Sequence, residues 1–412
     1  MADIEILFEV NFFTHHIPPL PHIYNYIYVG VFSMRIYIVK PGDNIDQIAA
    51  SYGVPVDRII WVNQLVYPYR LAVGQALLIP FTEINEGRRI LGNGFAYPFI
   101  SPWVLSQTLP FLSELSVFSY GFTTEGELIP PTLPTDWMVE EALNYGTTPI
   151  LTLTPFGPDG QFSNYLIHAI LTNTTARNRL IESLYDTVRL ENYQGINIDF
   201  EYILAEDRDL FTAFVSDVTL AMPELGYEVT VDLAPKTSCD QPGLLYEGKD
   251  YAGLGTAADR LFVMTYEWGY TYGPAMAVAP INKVQQVLDY AVTEIPREKI
   301  DMGIPNYGYD WILPFVRGES RAITIGNVEA VQIAIQNNAE IGFDEVAQAP
   351  YFHYVMDGVT HEVWFEDARS ILAKYRLLQQ YPLHGFGCWQ VMRMFRVMWV
   401  LAQGELDEIE VD

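Results

Sequence analysis

The sequence predicts an α/β protein: a closed (β/α)8 TIM barrel with a small α+β insertion between its seventh and eighth strands, preceded by a small βααβ unit. Three observations carry this. Beyond Asn93, short apolar runs alternate with helically patterned stretches along the chain, which implies a parallel sheet with helical crossovers. Eight such runs occur over a length near or somewhat above the ~250 residues typical of closed barrels, which favours closure over an open sheet. From Met34 to Phe81, a strand–helix–helix–strand pattern is complete in itself.

Residues 1–33 carry Asp3, Glu5 and Glu9 where a secretory leader would be positively charged, and Pro18, Pro19 and Pro21 interrupt the stretch after them. They read as an N-terminal extension without a recognisable signal peptide, with Met34 as an alternative start. In the small unit, 34–81, Ile36-Tyr37-Ile38-Val39 reads as a strand and Pro41-Gly42-Asp43 as a turn. Ile45, Ile48 and Ala49 then recur at helical spacing up to Tyr52-Gly53. A second helix runs from Pro55 to Asn63, and Ala76-Leu77-Leu78-Ile79-Pro80 closes the unit. A short polar connector leads into the barrel, read over 91–404. Its strands are expected at 94–97, 115–121, 148–154, 195–202, 228–234, 260–268, 299–307 and 385–390, with helices between them such as 178–190, 210–220, 281–291 and 366–381. The stretch 323–364 is too long for one crossover and reads as the insertion, with a helix over 328–337 followed by a hairpin. Residues 405–412 form an acidic tail.

Charge excludes some functions. The chain has 51 Asp+Glu against 23 Lys+Arg, a net charge of -28, which disfavours nucleic acid and anionic membrane surfaces as partners. No apolar run approaches the ~20 residues of a membrane span. Cys239 and Cys388 form no metal-binding pattern and read as buried free thiols; no metal and no cofactor is expected. The 27 Tyr and 8 Trp are core residues first, but also platforms for sugar rings.

The fourth strand is anomalous. In Gln194-Gly195-Ile196-Asn197-Ile198-Asp199-Phe200-Glu201-Tyr202, the polar residues Asn197, Asp199 and Glu201 alternate with large apolar ones, so a strand's period of two puts all three on one face. Two carboxylates on the inward face of a core strand are costly unless compensated or used. Glu201 falls at the strand's carboxyl end, where barrel enzymes keep their active sites.

These residues resemble a known family. The 195–201 run is similar to the strand-four signature DGxDxDxE of the family 18 glycoside hydrolases. Met264-Thr265-Tyr266-Glu267 resembles the family's sixth-strand Met-x-Tyr-acid run, Met302-Gly303-Ile304-Pro305-Asn306-Tyr307-Gly308 its seventh-strand MGxPxYG, and Trp389 its eighth-strand tryptophan. The small unit resembles a LysM module through YIVKPGDNIDQIAASYGV, Asn63 and LAVGQALLIP. With the NIDFEY form of the motif and the HEVWFEDARS stretch, the combination is most similar to the spore cortex-lytic N-acetylglucosaminidases of endospore formers.

The resemblance implies a retaining hydrolase of peptidoglycan or another chitin-like glycan containing N-acetylglucosamine, in which the substrate's own acetamido oxygen is the nucleophile. It implies catalytic roles for Glu201 as acid/base, Asp199 as the orienting charge and Tyr266 as a donor to the acetamido oxygen, with Trp389 as the sugar floor. Asn197, Tyr97, Tyr307, Asn306 and Glu267 are further candidates for substrate contact. The protein is expected to act as a monomer at the spore cortex or coat, or at the cell wall, with the cytoplasm as the alternative location. Two positions depart from the signature: Gln194 and Asn197 replace its first two aspartates. A neutral amide at 197 removes a like charge, so Asp199 is expected to be more firmly ionised, with a shifted pH profile.

Overall fold

A computed structural model describes residues 34–81, 90–156, 162–222, 226–404, 406 and 409–412; the 1–33 extension and most of the connector lie outside the described residues. Eight parallel strands, Gly92–Ala96, Glu114–Phe122, Thr148–Leu153, Gly195–Ile198, Glu228–Leu233, Arg260–Val263, Ile300–Pro305 and Gly385–Trp389, pair in chain order. The eighth pairs with the first and the first with the second, which closes the barrel.

Helix burial follows periodicity. In Thr174–Leu190, Ala176, Leu180, Leu184 and Val188 recur every fourth residue and are buried, while the Asn173 side chain caps the start by accepting from the Thr175 and Ala176 amides. Outside the fourth strand, Phe200 stacks on Phe211 and Phe214, at 5.6 and 5.7 Å, of the helix Arg208–Ala221. Inside the barrel, Phe95 and Phe262 meet at 5.0 Å. Gly387 makes room for that pair: a Cβ there would stand 2.3 Å from the Phe262 ring.

The small unit pairs Met34–Ile38 antiparallel with Ala76–Pro80 across the helices Ile45–Tyr52 and Val56–Asn63. Asn63 holds it together, because its amide bonds the Leu78 carbonyl at 2.8 Å and accepts from the Leu78 N–H at 2.8 Å. The unit is docked on the barrel. Arg396 lies 4.1 Å over the Trp61 ring and donates to the Trp61 carbonyl at 2.7 Å, and Gln64 accepts from the Arg396 N–H at 2.7 Å. The end of the acidic tail is a strand: Glu410–Val411 adds in parallel to the free edge of Met34–Ile38, and Arg35 pairs with Asp412 at 2.6 Å.

The insertion begins earlier than the sequence suggested. Gly308–Leu313 leaves the seventh strand at once and becomes the second strand of a five-stranded antiparallel sheet with Ile323–Ile325, Val359–Trp364, Ala349–Met356 and Gly342–Asp344. HEVWFEDARS is its joint to the barrel. Glu366 and Lys374 form a fully buried ion pair at 2.8 Å, Asp367 caps the helix Ala368–Gln380, and Arg369 reaches the Gly74 carbonyl of the small unit at 3.3 Å.

Candidate active site

A cavity of about 720 Å³ opens at the carboxyl ends of the barrel strands and is lined by Asp199, Glu201, Asp232, Tyr266, Glu267 and Trp389 with further aromatic groups. Each polar member arrives by a traceable local cause. The fourth strand ends at Ile198, the Asp199 N–H still bonds the Leu153 carbonyl at 2.9 Å, and side-chain alternation continues, with Phe200 buried outside and Asp199 and Glu201 lining the cavity. The sixth strand ends at Val263. The amides of Thr265 and Tyr266 then bond back to the carbonyls of Val263 and Met264, at 2.8 and 2.9 Å, turning Tyr266 into the cavity. Gly303 of the seventh strand leaves space for that ring, since a Cβ there would lie 2.7 Å from Tyr266 Cε1.

Trp389 ends the eighth strand and packs edge-on against Phe118 at 5.0 Å and Tyr97 at 6.0 Å. Phe118 is aimed inward where the second strand's register slips between Val117 and Tyr120. Tyr97, from the end of the first strand, completes this aromatic wall; burial and the charge of Asp199 push its hydroxyl up to about 12.

Three predicted contacts are placed differently. Asn306 does not line the cavity; its side-chain amide is spent on the carbonyls of Gln390 and Arg393, at 3.1 and 2.8 Å, and ties the seventh strand to the segment after the eighth. Tyr307 is buried behind the wall and donates its hydroxyl to Glu267, which also accepts from Tyr309 at 3.0 Å. Glu267 itself lines the cavity at a positive φ of 67°. Asn197 lies one layer below, fully buried, donating to Thr230 Oγ1 at 3.0 Å and to Asp232 Oδ1 at 2.6 Å.

Asp232 and Lys249 were not singled out from the sequence. Asn197 pairs with Thr230 and Ile198 with Val231, so Asp232 follows as the lateral neighbour of Asp199 on the fifth strand. The Lys249 ammonium, 1% exposed, donates to the Asp232 carbonyl from the loop after that strand. The expectation for Asp199 is therefore corrected. Burial first, then the charges of Asp232 and Glu201, push it well above the ordinary carboxylate range, against the pull of Lys249. Asp232 supplies the like charge that Asn197 lacks, and is itself raised to about 7, mainly by burial. Burial also raises Glu201, opposed by Lys249 and aided by Glu267. Asp199 lines the cavity, and its Oδ1 is buried without a hydrogen-bond partner among the described residues.

The thiols differ from each other: Cys388 is buried, but Cys239 is exposed, lying in the polar loop after the fifth strand and not on an apolar face. No helix among the described residues is long and apolar enough to cross a membrane.

The family model for glycosyl hydrolases family 18 matches residues 156–393, and a LysM domain model matches 37–80. The chain is 32% identical over 430 residues to the cortical fragment-lytic enzyme of Bacillus subtilis (strain 168), covering 92% of this chain and 99% of that protein. It is 36% identical over 421 residues to the enzyme of the same name from Bacillus anthracis, covering 89% and 97%. The crystal structure of the Bacillus cereus spore cortex-lytic enzyme SleL superposes with a TM-score of 0.85 at 31% identity, covering 92% of this chain and 99% of that one.

Proposed function

The chain belongs to the glycosyl hydrolases of family 18, and from that premise we propose that it cleaves the glycan of spore cortex peptidoglycan after N-acetylglucosamine, by a retaining, substrate-assisted route. The observation that carries the reading is the convergence of Glu201, Asp199, Tyr266 and Trp389, from three separate strand ends, on one cavity. Similarity over almost the whole of relatives named for the cortex supports the substrate, and the docked LysM module supports a place at the cortex, coat or cell wall.

In this reading Trp389 supports the apolar face of the sugar. The Asp199 carboxylate accepts the acetamido N–H and the Tyr266 hydroxyl donates to the acetamido oxygen, which attacks the anomeric carbon as Glu201 gives its proton to the departing glycosidic oxygen. Asp199 offsets the positive charge of the resulting oxazolinium ion. Glu201, now ionised, takes a proton from water, which opens the ring on the same face and restores the starting acid. Glu267, held by two tyrosines at the cavity wall, is placed to meet a substrate hydroxyl.

Mass spectrometry of muropeptides after incubation with cortex peptidoglycan tests this. New reducing N-acetylglucosamine ends are expected. Reducing muramic ends would make the protein a muramidase, cleavage of chitin oligomers alone a chitinase, and binding without products a glycan-binding protein.

The network beneath the site gives a second expectation. Asn197→Asp removes the donor to Asp232 and sets a carboxyl against Asp232 Oδ1, 2.6 Å from the present amide nitrogen. The added negative charge raises neighbouring carboxyl pKa values, so the acidic limb of kcat/KM is expected to move up by about one pH unit or more. An acidic limb in the wild-type position would contradict it.

A further inference from the structure

One buried cation sits at the carboxyl end of the fifth strand, in the field of three acids. Lys249 is buried, its ammonium donates to the Asp232 carbonyl, and it stands 5.5 Å over the ring of Phe211. Its loop is pinned on both sides: Lys236 donates to the carbonyls of Lys249 and Cys239, at 3.1 Å each, and Tyr251 to that of Ala234 at 2.5 Å. Among the described residues the ammonium makes no direct ion pair, so it is not committed to a single carboxylate.

Burying a side chain as flexible as lysine in this manner costs rotamer freedom and hydration, and a chain needing only to fill space would use an apolar residue. Asp199, Asp232 and Glu201 all line the cavity. If all three ionised, two negative charges would stand uncompensated in the barrel, each removed from water without a partner. With one cation the balanced state holds one anion and two protons. One proton belongs on Glu201, where the leaving group needs it, and the other is shared by the lateral neighbours Asp199 and Asp232.

We propose that Lys249 is a positioning residue for the hydrolysis: its positive charge sets the number of protons held by Asp199, Asp232 and Glu201, so that an ionised aspartate and a protonated Glu201 coexist at the working pH. This rests on the proposed roles of Asp199 and Glu201. The titratable and charged groups facing the cluster are Tyr97 from the first strand, Tyr202 beside Glu201, and Tyr266 and Glu267 after the sixth strand. Lys236 is turned onto backbone carbonyls, and Arg208 of the helix behind pairs with Asp250 at 3.1 Å. Among the described residues Lys249 is thus the cation whose field acts on all three acids and lowers the proton affinity of each; burial lowers its own proton affinity, and the three carboxylates oppose that by holding the ammonium charged.

The test is the pH dependence of kcat/KM on 4-methylumbelliferyl chitotrioside for wild type, Lys249→Met and Lys249→Arg. Loss of the cation raises every neighbouring carboxyl. The acidic limb, where an aspartate must ionise, and the basic limb, where Glu201 must keep its proton, both move up by about one pH unit in Lys249→Met. Lys249→Arg restores them. A reduced rate with both limbs in the wild-type position would make Lys249 structural and overturn the proposal. An NMR titration of the Lys249 side-chain nitrogen in wild type decides between the two without any variant: the group is expected to stay charged across the active range, and a neutral amine at the optimum overturns the proposal. Absence of wild-type turnover would instead count against the hydrolase reading, leaving the two failures distinguishable.

Discussion

Glu201→Gln is expected to lower kcat on cortex fragments by roughly 10²–10⁴-fold, the usual yield of a positioned general acid, with KM changed only a few-fold. The amide keeps the shape of the acid but has no proton to give to the departing sugar oxygen. The residual activity should lose its basic limb, because that limb reports loss of the Glu201 proton. An aryl glycoside should suffer less in the first step than a sugar leaving group, since a phenolate departs with little protonation. Stability should rise slightly or stay level, because burial already disfavours the Glu201 charge. Equal product release by variant and wild type would falsify the assignment.

The barrel was legible because its signal is periodic: eight apolar runs separated by helical stripes leave few architectures. The strand ends were less so. The expected fourth and sixth strands ran to 202 and 268, whereas their ladders stop at Ile198 and Val263. Side-chain alternation outlasts the last ladder hydrogen bond at Asp199, and the turn at Thr265–Tyr266 is made by backbone bonds that no residue type announces. Gly308–Leu313 failed for the opposite reason. It follows the seventh strand so closely that no turn signal separates the two, and it falls in neither the strand expected to end at 307 nor the insertion expected to begin at 323.

Within the site, Asp199 and Glu201 were readable as acids alternating with large apolar residues at a strand end, and Tyr266 and Trp389 came from the resemblance to the family's sixth- and eighth-strand motifs. Asp232 carried the same sign, a lone acid in Val231-Asp232-Leu233, and applying the fourth strand's logic to the fifth would have found it. Lys249 had no such sign. It sits in an unpatterned loop 17 residues beyond Asp232, and only the tertiary fold buries it. Asn306 and Tyr307 show the converse limit: a motif reports that a residue is constrained, but not whether a ligand or the barrel constrains it.

The largest stability effect is expected at the far end of the barrel. Arg260 opens the sixth strand and is nearly buried. It donates to Asp301 at 2.6 Å, to Glu228 at 2.7 Å and to Glu114, and His384 joins the cluster through Asp301 at 2.8 Å. Four parallel strands thus meet at their amino ends through one guanidinium, whose planar fork serves several carboxylates as lysine could not. Arg260→Met leaves the acids facing one another with only His384, where it is protonated, to offset them, which should cost about 3–5 kcal/mol. Glu228 is half-exposed and contributes little; the cost lies with Asp301 and Glu114, which are largely buried. Burial already raises Glu114, with Arg260 opposing, so removal of the cation raises it further. A carboxyl with a raised folded pKa loses stabilisation as pH rises, so the variant's deficit should be greatest near neutrality and shrink towards pH 4. His384 behaves in the same sense in wild type: its pKa is raised, chiefly by Asp301, so its contribution is full below the unfolded value and lost as pH climbs through the folded one. Urea unfolding at several pH values measures both effects. Because this cluster lies at the end opposite the cavity, kcat/KM well below the melting temperature should stay within about two-fold of wild type. A large loss of activity in folded Arg260→Met would show that the two ends of the barrel are coupled, and a deficit independent of pH would show that the acids are not what the arginine restrains.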